Sequence, residues 1–400
     1  MKRETPVRRL IGREEKKAVD RLFEKVFTSG NAFDRYAGQE VDTFEQEFAA
    51  LYGRKYGAAV SSGTAAVHTA LASLELEPGT EVACSPITDP GAVMPVVALG
   101  LIPVFADCLP GTYNMSAAGL EPVLSDRTGA IVVGHIAGEP ADIENIVELA
   151  SRKNIPLIED CSQSHLASFN KKLVGTFGQL AVFSTMSGKH MTSGGQGGMI
   201  LTDSKDLNIR CQRFADRGKP FGSDSPTNVS MGLNYRMTEL AAVIGRVQLG
   251  KLPALVARRR QLMQILRDSL NGLKAFAIGH TPPGADPSWW FIRLFADTGR
   301  LGMAKPEIAE MLQTAGISAA STYTTLIYDQ NWFKARKTLG TSGFPWDLVK
   351  KEYSYDKCCP QAEQALQDHM LLAFHEDFNP EDMECIGNTL KQIGTEHLKK

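Results

Sequence analysis

The stretch YGAAVSSGTAAVHTAL, residues 56–71, decides the fold, because a short apolar strand in it runs directly into a helix start. The first amides of a helix have no partner inside it, and the helix dipole adds positive potential there. The backbone N–H groups of Gly63 and Thr64, with the Thr64 hydroxyl, are therefore expected to point at one anion such as a phosphate. The alternative for these few residues is that Ser62 only caps the helix.

The alternation of strand and helix continues beyond residue 71. Short apolar runs bounded by turn residues recur, and the stretch IENIVELA places Ile143, Ile146 and Ala150 on one helical face. Strands that alternate with helices are typical of α/β proteins with a mostly parallel sheet. The sequence predicts a seven-stranded sheet flanked by helices, with strands over residues 56–61, 81–84, 102–106, 130–136, 155–159, 179–184 and 197–202.

Helical patterns follow the sheet. Apolar residues over 240–247 form one stripe, and a second helix is expected over residues 254–270. This pattern predicts a large domain over residues 1–253 and a smaller α+β domain over residues 254–400. The smaller domain is expected to contain a strand over WWFIRLFA (289–296) and a closing helix with Met383, Ile386, Leu390 and Ile393 on one face.

Composition excludes several classes of protein. The 43 basic and 45 acidic residues give a net charge of −2 over 400 residues, which provides no general attraction to nucleic acid or anionic lipid. The longest apolar stretch, residues 93–106, is broken by proline and glycine and is shorter than the roughly 18 residues of a membrane helix. The charged start MKRETPVRRLIGREEKK lacks the apolar core of a secretory signal, so a cytoplasmic location is expected. Seven scattered cysteines without a CxxC pair are expected to be reduced, and no metal site is predicted.

A second candidate site lies in IEDCSQSHLASF (158–169). Asp160 falls at the carboxyl end of a predicted strand, and Gln163 and His165 follow it. Ligands of open α/β sheets bind at this end of the strands. A carboxylate there stabilises a protonated ring nitrogen of a ligand, because opposite charges favour each other's ionised form. A solvated turn carboxylate is the alternative for Asp160, and a structural role is the alternative for His165.

The third candidate, FSTMSGKHMTSGGQGGMI (183–200), has Ser184 at a predicted strand end and Lys189 in a Gly-rich loop. Glycines allow a backbone to approach a ligand closely. A lysine desolvated in such a loop has a lowered pKa and forms a Schiff base with a carbonyl group. Considered alone, Lys189 is more often a solvated surface charge, and His190 a structural residue.

The order and spacing of the three segments carry the inference about a cofactor. A phosphate-binding helix start is followed by an acid for a ring nitrogen, and a lysine comes 29 residues after that acid. Pyridoxal 5'-phosphate (PLP) offers the three matching groups, which are a phosphate, a pyridine nitrogen and an aldehyde. The sequence therefore predicts PLP as the cofactor.

With these segments in place, the chain resembles the DegT/DnrJ/EryC1/StrS family of sugar aminotransferases, which are PLP enzymes of fold type I. The likeness extends from TSGNAFDRYAGQEVDTF (28–44) to the tail LLAFHEDFNPEDMECI (371–386). The segments around Asp160, Lys189 and GLNYRMTEL (232–240) are highly specific together. The resemblance implies a large domain with the predicted sheet and a smaller C-terminal domain.

The resemblance also implies roles for individual residues. Lys189 matches the lysine that forms a Schiff base with the cofactor, and Asp160 matches the acid that pairs with the ring nitrogen. Gln163 matches a glutamine packed against the phenolic edge of the cofactor. Asn234 matches an asparagine that reaches the phosphate of the neighbouring subunit, so a homodimer with shared sites is implied. The phosphate contacts of the family fall on Gly63, Thr64 and Ser184.

The activity implied by the resemblance is transfer of an amino group between two small molecules. Glutamate or glutamine is the expected donor, and a keto-sugar, a cyclitol or a related ketone is the expected acceptor. A PLP enzyme of another reaction type, such as a dehydratase, cyclase or decarboxylase, is the main alternative, because one cofactor site serves all of them. The dehydratase branch of the family has histidine in place of the lysine, and His190 is adjacent to Lys189, so a one-residue shift is a second interpretation.

Two segments depart from the family pattern. Many members have an aromatic ring over the cofactor where this chain has Asp89, in SPITDPGAV (85–93). Asp89 is interpreted either as a carboxylate at the cofactor or as a turn residue. The segment STYTTLIYDQNWF (321–333) lacks the His and Pro often found where substrate is held, which leaves Tyr323 and His165 as the substrate candidates.

A regulatory or binding protein on the same fold is the remaining alternative. The basic clusters at residues 16–17, 171–172 and 258–260 are interpreted as solvated faces rather than as nucleic-acid contacts. A binding module has no chemical need for a Schiff-base lysine. The combination of Lys189 with Asp160 therefore favours an enzyme.

Overall fold

A computed structural model describes residues 5–30, 33 and 38–397 of the chain. Residues 31, 32 and 34–37, which belong to the N-terminal segment quoted above, lie outside the described residues. The strands in chain order are β1 (Tyr56–Val60), β2 (Glu81–Cys84), β3 (Ile102–Phe105), β4 (Thr128–Gly134), β5 (Leu157–Asp160), β6 (Ser168–Phe169), β7 (Lys172–Leu173), β8 (Leu180–Ser184), β9 (Gly198–Thr202), β10 (Phe276–Ile278), β11 (Ala285–Asp286), β12 (Ile292–Ala296), β13 (Ala319–Ala320) and β14 (His369–Leu372).

The α-helices connect and cover these strands. In chain order they are α1 (Arg13–Ser29), α2 (Gln39–Leu51), α3 (Gly63–Ala72), α4 (Met94–Ala98), α5 (Ala117–Leu120), α6 (Ile143–Lys153), α7 (Lys205–Ala215), α8 (Glu239–Ser269), α9 (Thr298–Leu301), α10 (Lys305–Thr314), α11 (Asn331–Lys334), α12 (Pro360–Asp368) and α13 (Pro380–His397).

A seven-stranded sheet forms the centre of the large domain, in the order β1-β9-β8-β5-β4-β2-β3. Neighbours from β8 to β3 pair in parallel, whereas β9 runs antiparallel to both of its neighbours. The seven strands predicted from the sequence are confirmed, with ends that differ by at most two residues. Their pattern is recognisable because strands buried on both faces form short, nearly continuous apolar runs.

Alternate residues of the central strands face two different cores. Val82 and Cys84 pack with residues of α3 and α4, whereas Ala83 between them packs with residues of α6. Successive side chains of a strand point to opposite faces, so the sheet separates the two cores. Helix α6 contains the stretch IENIVELA, for which the sequence predicted one apolar helical face, and its residues Ile143 and Ile146 are fully buried.

Helix α8 corrects the prediction of two helices with a boundary at residue 253. It continues for 31 residues with Pro253 inside it. Pro253, which has no backbone N–H to donate within the helix, is itself exposed. The helix packs against α1, α2 and α13 and so joins the two domains. Helix α8 is long and apolar enough to meet the length and composition criterion for a membrane-spanning helix. Core helices of soluble proteins meet the same criterion.

The smaller domain contains an antiparallel sheet in the order β10-β12-β14-β13, surrounded by α10, α13 and the last turns of α8. The predicted division at residue 253 does not account for residues 326–365. Leu326, Phe333 and Trp346 of this segment pack in the core of the large domain. The segment has little regular structure, and therefore no periodicity from which its packing partner could be inferred.

Phe48 provides a test of the core beneath the candidate loop at residues 183–200. Its ring is fully buried and lies 5.1 Å from the ring of Phe183, measured between centroids. We expect Phe48→Ala to lower the free energy of unfolding by roughly 3 to 5 kcal/mol, because it leaves a cavity where the ring was. Urea titration measures this value. The matched change Leu339→Ala, at a residue that is 62% exposed, should cost less than about 0.5 kcal/mol, and similar losses in both variants would contradict the packing described.

Candidate active site

One cavity of about 250 Å³ lies where the parallel strands of the large sheet end. Strand β5 ends at Asp160, β8 ends at Ser184, and α3 begins just after β1. Because these three strands run in the same direction, their carboxyl ends meet at one edge of the sheet. Of the predicted site residues, the cavity lining includes Gly63, Thr64, Asp89, Asp160, Gln163, Ser184 and Lys189.

The start of α3 combines both interpretations of its sequence. Ser62 caps the helix, and its hydroxyl accepts a hydrogen bond of 3.0 Å from the Ala65 N–H. The amides of Gly63 and Thr64 precede that bond, in the first turn where a helix supplies no acceptor. A Cβ on Gly63 would lie 2.7 Å from the Cβ of Ser184, so only glycine permits this close approach. The cap is therefore compatible with an anion held by these amides and hydroxyls.

Asp160 presents a nearly buried carboxylate at the end of β5, with 9% of the residue exposed. Its Oδ1 accepts a hydrogen bond of 3.0 Å from the Ser162 N–H. Burial raises the pKa of Asp160 and outweighs the lowering effects of Ser162 and of the charge on Lys189. A carboxylate in such a place is stabilised by a further cation, because a buried charge without a partner is unfavourable.

Lys189 presents a desolvated amine to the same cavity, and only 6% of the residue is exposed. Its Nζ lies 3.8 Å from the centre of the Trp290 ring. Burial lowers the pKa of Lys189 to about 8, against the opposing charges of Asp160 and Asp89. At that pKa about a fifth of the amine is neutral, and therefore nucleophilic, at a pH of about 7.4.

Backbone hydrogen bonds join the two ends of the loop that carries Lys189. Thr185 N–H donates to the Gly197 carbonyl at 2.8 Å, and Ser187 N–H donates to the Gly195 carbonyl at 3.1 Å. Gly195 has a φ of +146°, a conformation that side chains rarely adopt. The glycine run thus permits a tight return of the chain, which fixes the backbone on both sides of Lys189.

Gln163 forms a polar link between the cavity and Tyr323. Its Oε1 accepts from the Ala137 N–H at 3.0 Å, and its Nε2 donates to the Tyr323 hydroxyl at 2.9 Å. The Tyr323 ring stacks on Phe291 with 4.6 Å between centroids. Tyr323 itself does not line the cavity, so it lies behind Gln163 and restrains its amide.

Both interpretations of Asp89 apply, because it is a turn residue and also lines the cavity. It caps the 3-10 helix Pro90–Ala92, and its Oδ1 accepts a hydrogen bond of 2.8 Å from the Gly91 N–H. It is exposed, lines the cavity and acts on the pKa of Lys189. The turn therefore holds a carboxylate at the edge of the cavity.

The structure does not bring His165 to the cavity, contrary to the expectation of a substrate contact. His165 is fully buried against Phe48 and Phe183, and neither ring nitrogen has a hydrogen-bond partner within the described residues. Burial, helped by the charge of Lys189, lowers the pKa of His165 to about 3. His190 is also fully buried, with Nε2 3.1 Å from the Ser288 carbonyl. Lys189, and not His190, reaches the cavity.

Asn234 is exposed and does not line the cavity of its own chain. Its backbone forms an antiparallel bridge with Asp216, beside the bridge between Val60 and Arg236. These contacts place the GLNYRM segment next to the end of β1. The expected role of Asn234 in a neighbouring subunit stays a prediction.

The sequence analysis missed the roles of two residues, namely Trp290, which contacts Lys189, and Arg259, which bonds to the Trp289 carbonyl. Trp290 covers the amine, and its Nε1–H donates to the Gly188 carbonyl at 2.7 Å. The stretch at 289–296 was expected to be one strand, but Trp289 has a φ of +55° and β12 begins only at Ile292. Arg259, expected on a solvated face, has a side chain that is 1% exposed and pairs with Glu376. The adjacent tryptophans and the run of three arginines were the available signals, but neither pattern specifies a partner.

A buried group of His135, Glu159 and Cys161 has potential metal-ligating atoms within 4.8 Å of one another. The Glu159 carboxylate already accepts 2.7 Å hydrogen bonds from the N–H groups of Gly175 and Phe177. The His135 Nδ1 accepts from a backbone N–H, so its Nε2–H faces Glu159 at 3.3 Å. These bonds give the group a structural role. All seven cysteines of the chain are free.

The comparisons relate this geometry to known proteins. A sequence model described as the DegT/DnrJ/EryC1/StrS aminotransferase family matches residues 13–391. GDP-perosamine synthase of Escherichia coli O157:H7 is 34% identical over 260 residues, which cover 65% of this chain and 69% of that protein. The dTDP-4-dehydro-2,6-dideoxy-D-glucose 3-dehydratase of Saccharopolyspora spinosa is 32% identical over 297 residues, covering 66% of this chain and 64% of that protein. The solved aminotransferase from Psychrobacter cryohalolentis matches with a TM-score of 0.85 at 26% identity, covering 99% of this chain and 100% of that one.

Burial lowers the pKa of Lys189 and the charge of Asp160 raises it, so this pKa tests whether the two groups share one cavity. The negative charge of Asp160 favours the ammonium form, so we expect Asp160→Asn to lower the pKa of Lys189 by about one unit below its value of about 8. The rate at which a small amine-reactive reagent labels Lys189 in the cofactor-free protein, followed against pH by peptide mass spectrometry, measures this shift. Asp89→Asn should produce a smaller shift in the same direction, and Asp224→Asn, in an exposed loop, should produce none. An unchanged profile in Asp160→Asn would show that the two groups do not interact.

Proposed function

The chain belongs to the DegT/DnrJ/EryC1/StrS aminotransferase family, and from that membership we propose that its cavity binds PLP and uses Lys189 to transfer an amino group from an amino acid to a ketone. The family match spans residues 13–391, so the chain is an enzyme on the fold-type-I scaffold. The observation that carries the proposal is the desolvated amine of Lys189, which shares one cavity with a helix start and the carboxylate of Asp160.

The residues present fit PLP at each of its three groups. The amides of Gly63 and Thr64 and the hydroxyl of Ser184 would hold the phosphate, and the close approach at Gly63 leaves no room for a larger residue. Asp160 would hold the ring nitrogen, and the aldehyde would meet Lys189. When bound, PLP supplies an aldehyde that captures amines and a ring that withdraws electrons from the substrate carbon.

The chain's own residues would then direct the proton transfers. The neutral amine of Lys189 would accept the proton from the α carbon of the amino-acid donor, and in the return half of the reaction the ammonium form of Lys189 would donate a proton to the former carbonyl carbon of the acceptor. A pKa of about 8 suits this exchange, because both forms are populated near physiological pH. Asp160 would keep a proton on the ring nitrogen, since its own buried charge is stabilised by a cation. Trp290 shields the amine from water on one side.

An aminotransferase is favoured over a dehydratase, although the relative from Saccharopolyspora spinosa is named as one. In the family, the dehydratase branch replaces the lysine with histidine. The residue of this chain that lines the cavity is Lys189, while the adjacent His190 is fully buried and directed to the Ser288 carbonyl. This arrangement supports the alignment of Lys189 with the reactive lysine rather than a shift by one residue.

Substrates and assembly complete the proposal. Glutamate or glutamine is the proposed donor, and a ketone on a sugar or a cyclitol is the proposed acceptor, since the relative from Escherichia coli is named a GDP-perosamine synthase. The carboxylate of Asp89, at the place of the usual aromatic ring, would contact polar groups of the cofactor or acceptor. We also propose a cytoplasmic homodimer in which Asn234 serves the site of the neighbouring subunit.

Absorption spectroscopy tests the first half of the proposed reaction. The protein mixed with PLP should develop a visible band that L-glutamate or L-glutamine converts to one at shorter wavelength. Lys189→Ala should lose both the band and its conversion, because it lacks the amine that binds the aldehyde. Lys350→Ala, at an exposed lysine, should behave as the wild type.

The spectra also separate the alternatives. A PLP band that no amino donor changes would favour another PLP reaction or a regulatory role. No PLP band in the wild type would contradict the assignment of the cavity.

Affinity for PLP tests the anion end of the cavity. Thr64→Val keeps the shape of the side chain but removes the hydroxyl, and we expect it to weaken PLP binding about tenfold through loss of a hydrogen bond to a charged group. Equilibrium dialysis of the cofactor against the purified protein measures this change. Thr395→Val, at an exposed position of α13, is the matched control and should leave the affinity unchanged.

A further inference from the structure

The backbone around Lys189 is held from outside the cavity by the N-terminal segment of the chain. The guanidinium of Arg8 donates from Nη1 to the Lys189 carbonyl at 2.7 Å and from Nη2 to the His190 carbonyl at 3.1 Å. One planar group thus bonds two consecutive carbonyls of the loop over residues 185–197, which we call the lysine loop. A fork of fixed geometry restricts the loop more than a single flexible donor does.

Glu376, which follows β14 in the smaller domain, fixes that guanidinium. Its Oε1 accepts from the Nε of Arg8 at 2.8 Å, and its Oε2 accepts from the Nε of Arg259 at 2.8 Å. The Arg259 and Glu376 side chains are 1% and 5% exposed, so water competes little for these bonds. Burial raises the pKa of Glu376, but the charges of Arg259 and Arg8 outweigh it and hold that pKa below its ordinary value.

Arg259 connects Glu376 to the backbone next to Trp290, whose indole covers the amine of Lys189. Its Nη1 donates to the Trp289 carbonyl at 2.6 Å, immediately before Trp290. The Trp290 indole covers the amine of Lys189 and returns a hydrogen bond of 2.7 Å to the Gly188 carbonyl. The backbone of the lysine and the ring over its amine are therefore both tied, through two arginines, to one carboxylate.

We propose that Glu376 is a positioning residue for Lys189, which holds the lysine loop through Arg8 and the covering Trp290 through Arg259. The inference rests on the proposed function only in that Lys189 is taken as the reactive amine. Its consequence is that a residue of the smaller domain controls how far the amine is desolvated. Loss of the carboxylate would leave both guanidinium groups with only backbone carbonyls as partners and would remove the group that joins them, so the Lys189 backbone and the Trp290 indole would no longer be held together.

The pH dependence of Lys189 reports this desolvation. The charged and titratable groups that act on its amine are Asp160 and Asp89, and His165 lies behind it with its pKa lowered to about 3. Glu376→Gln changes none of these groups. Because burial is the largest effect on Lys189, admission of water should raise its pKa towards the ordinary value.

The test measures the labelling of Lys189 against pH in the cofactor-free full chain. In Glu376→Gln we expect the midpoint of the profile to rise by about one pH unit, which reduces labelling at pH 8, relative to its plateau, about fivefold. Glu81→Gln is the matched control, because Glu81 is also a buried carboxylate held by two cations, Arg127 and Lys351, but it lies at the start of β2. An equal midpoint in wild type and Glu376→Gln, or an equal shift in Glu81→Gln, would overturn the proposal.

A second variant keeps the test decisive if Glu376→Gln does not fold. Arg8→Gln leaves the Glu376–Arg259 pair intact and removes the guanidinium that bonds the Lys189 and His190 carbonyls. It should raise the midpoint in the same direction, and a profile identical to that of the wild type would overturn the proposal. The labelling needs no cofactor, so failure of the wild type to bind PLP would contradict the proposed function without affecting this result.

Discussion

The amine of Lys189 lies 3.8 Å from the centre of the Trp290 ring in a residue that is only 6% exposed, and this desolvated contact constrains the elements around it. Burial lowers the pKa from 10.5 to about 8, which corresponds to an unfavourable contribution of about 3 kcal/mol for the charged form. The unfolded chain keeps this proton up to the higher pKa. The amine therefore opposes folding below pH 8, and the penalty disappears as the pH rises towards 10.5.

The sheet provides the place where such a group can be held. Parallel strands end at one edge, and the residues that follow them meet there without long connections. Asp160 and Ser184 are last residues of adjacent strands, so their positions depend on the hydrogen-bonded backbone of the sheet and hardly on their own side chains. A helix start that must approach Ser184 needs glycine, which explains Gly63.

The two domains meet at this edge through charged groups. Helix α8 spans both, and Arg259 on it is buried beside Glu376 of the smaller domain. A second buried pair, Arg293 with Glu139, joins β12 to the segment after β4. Paired charges of this kind add little net stability, because desolvation offsets their attraction. Their geometry is directional, however, and it fixes the smaller domain relative to the lysine loop.

Local patterns in the sequence determined the seven strands, helix α6 and the identities of Asp160 and Lys189, because side-chain periodicity and strand ends depend on neighbours along the chain. The order and spacing of these residues predicted PLP, and the family resemblance added a role for each of them. The continuity of α8 through Pro253, the burial of His165 and Arg259, and the indole over Lys189 could not be inferred from the sequence. Each depends on contacts between residues far apart in the chain, such as Arg8 with Glu376, and a local pattern carries no information about a distant partner. Tertiary structure alone decided them, since desolvation is a property of the packed environment and not of the residue type.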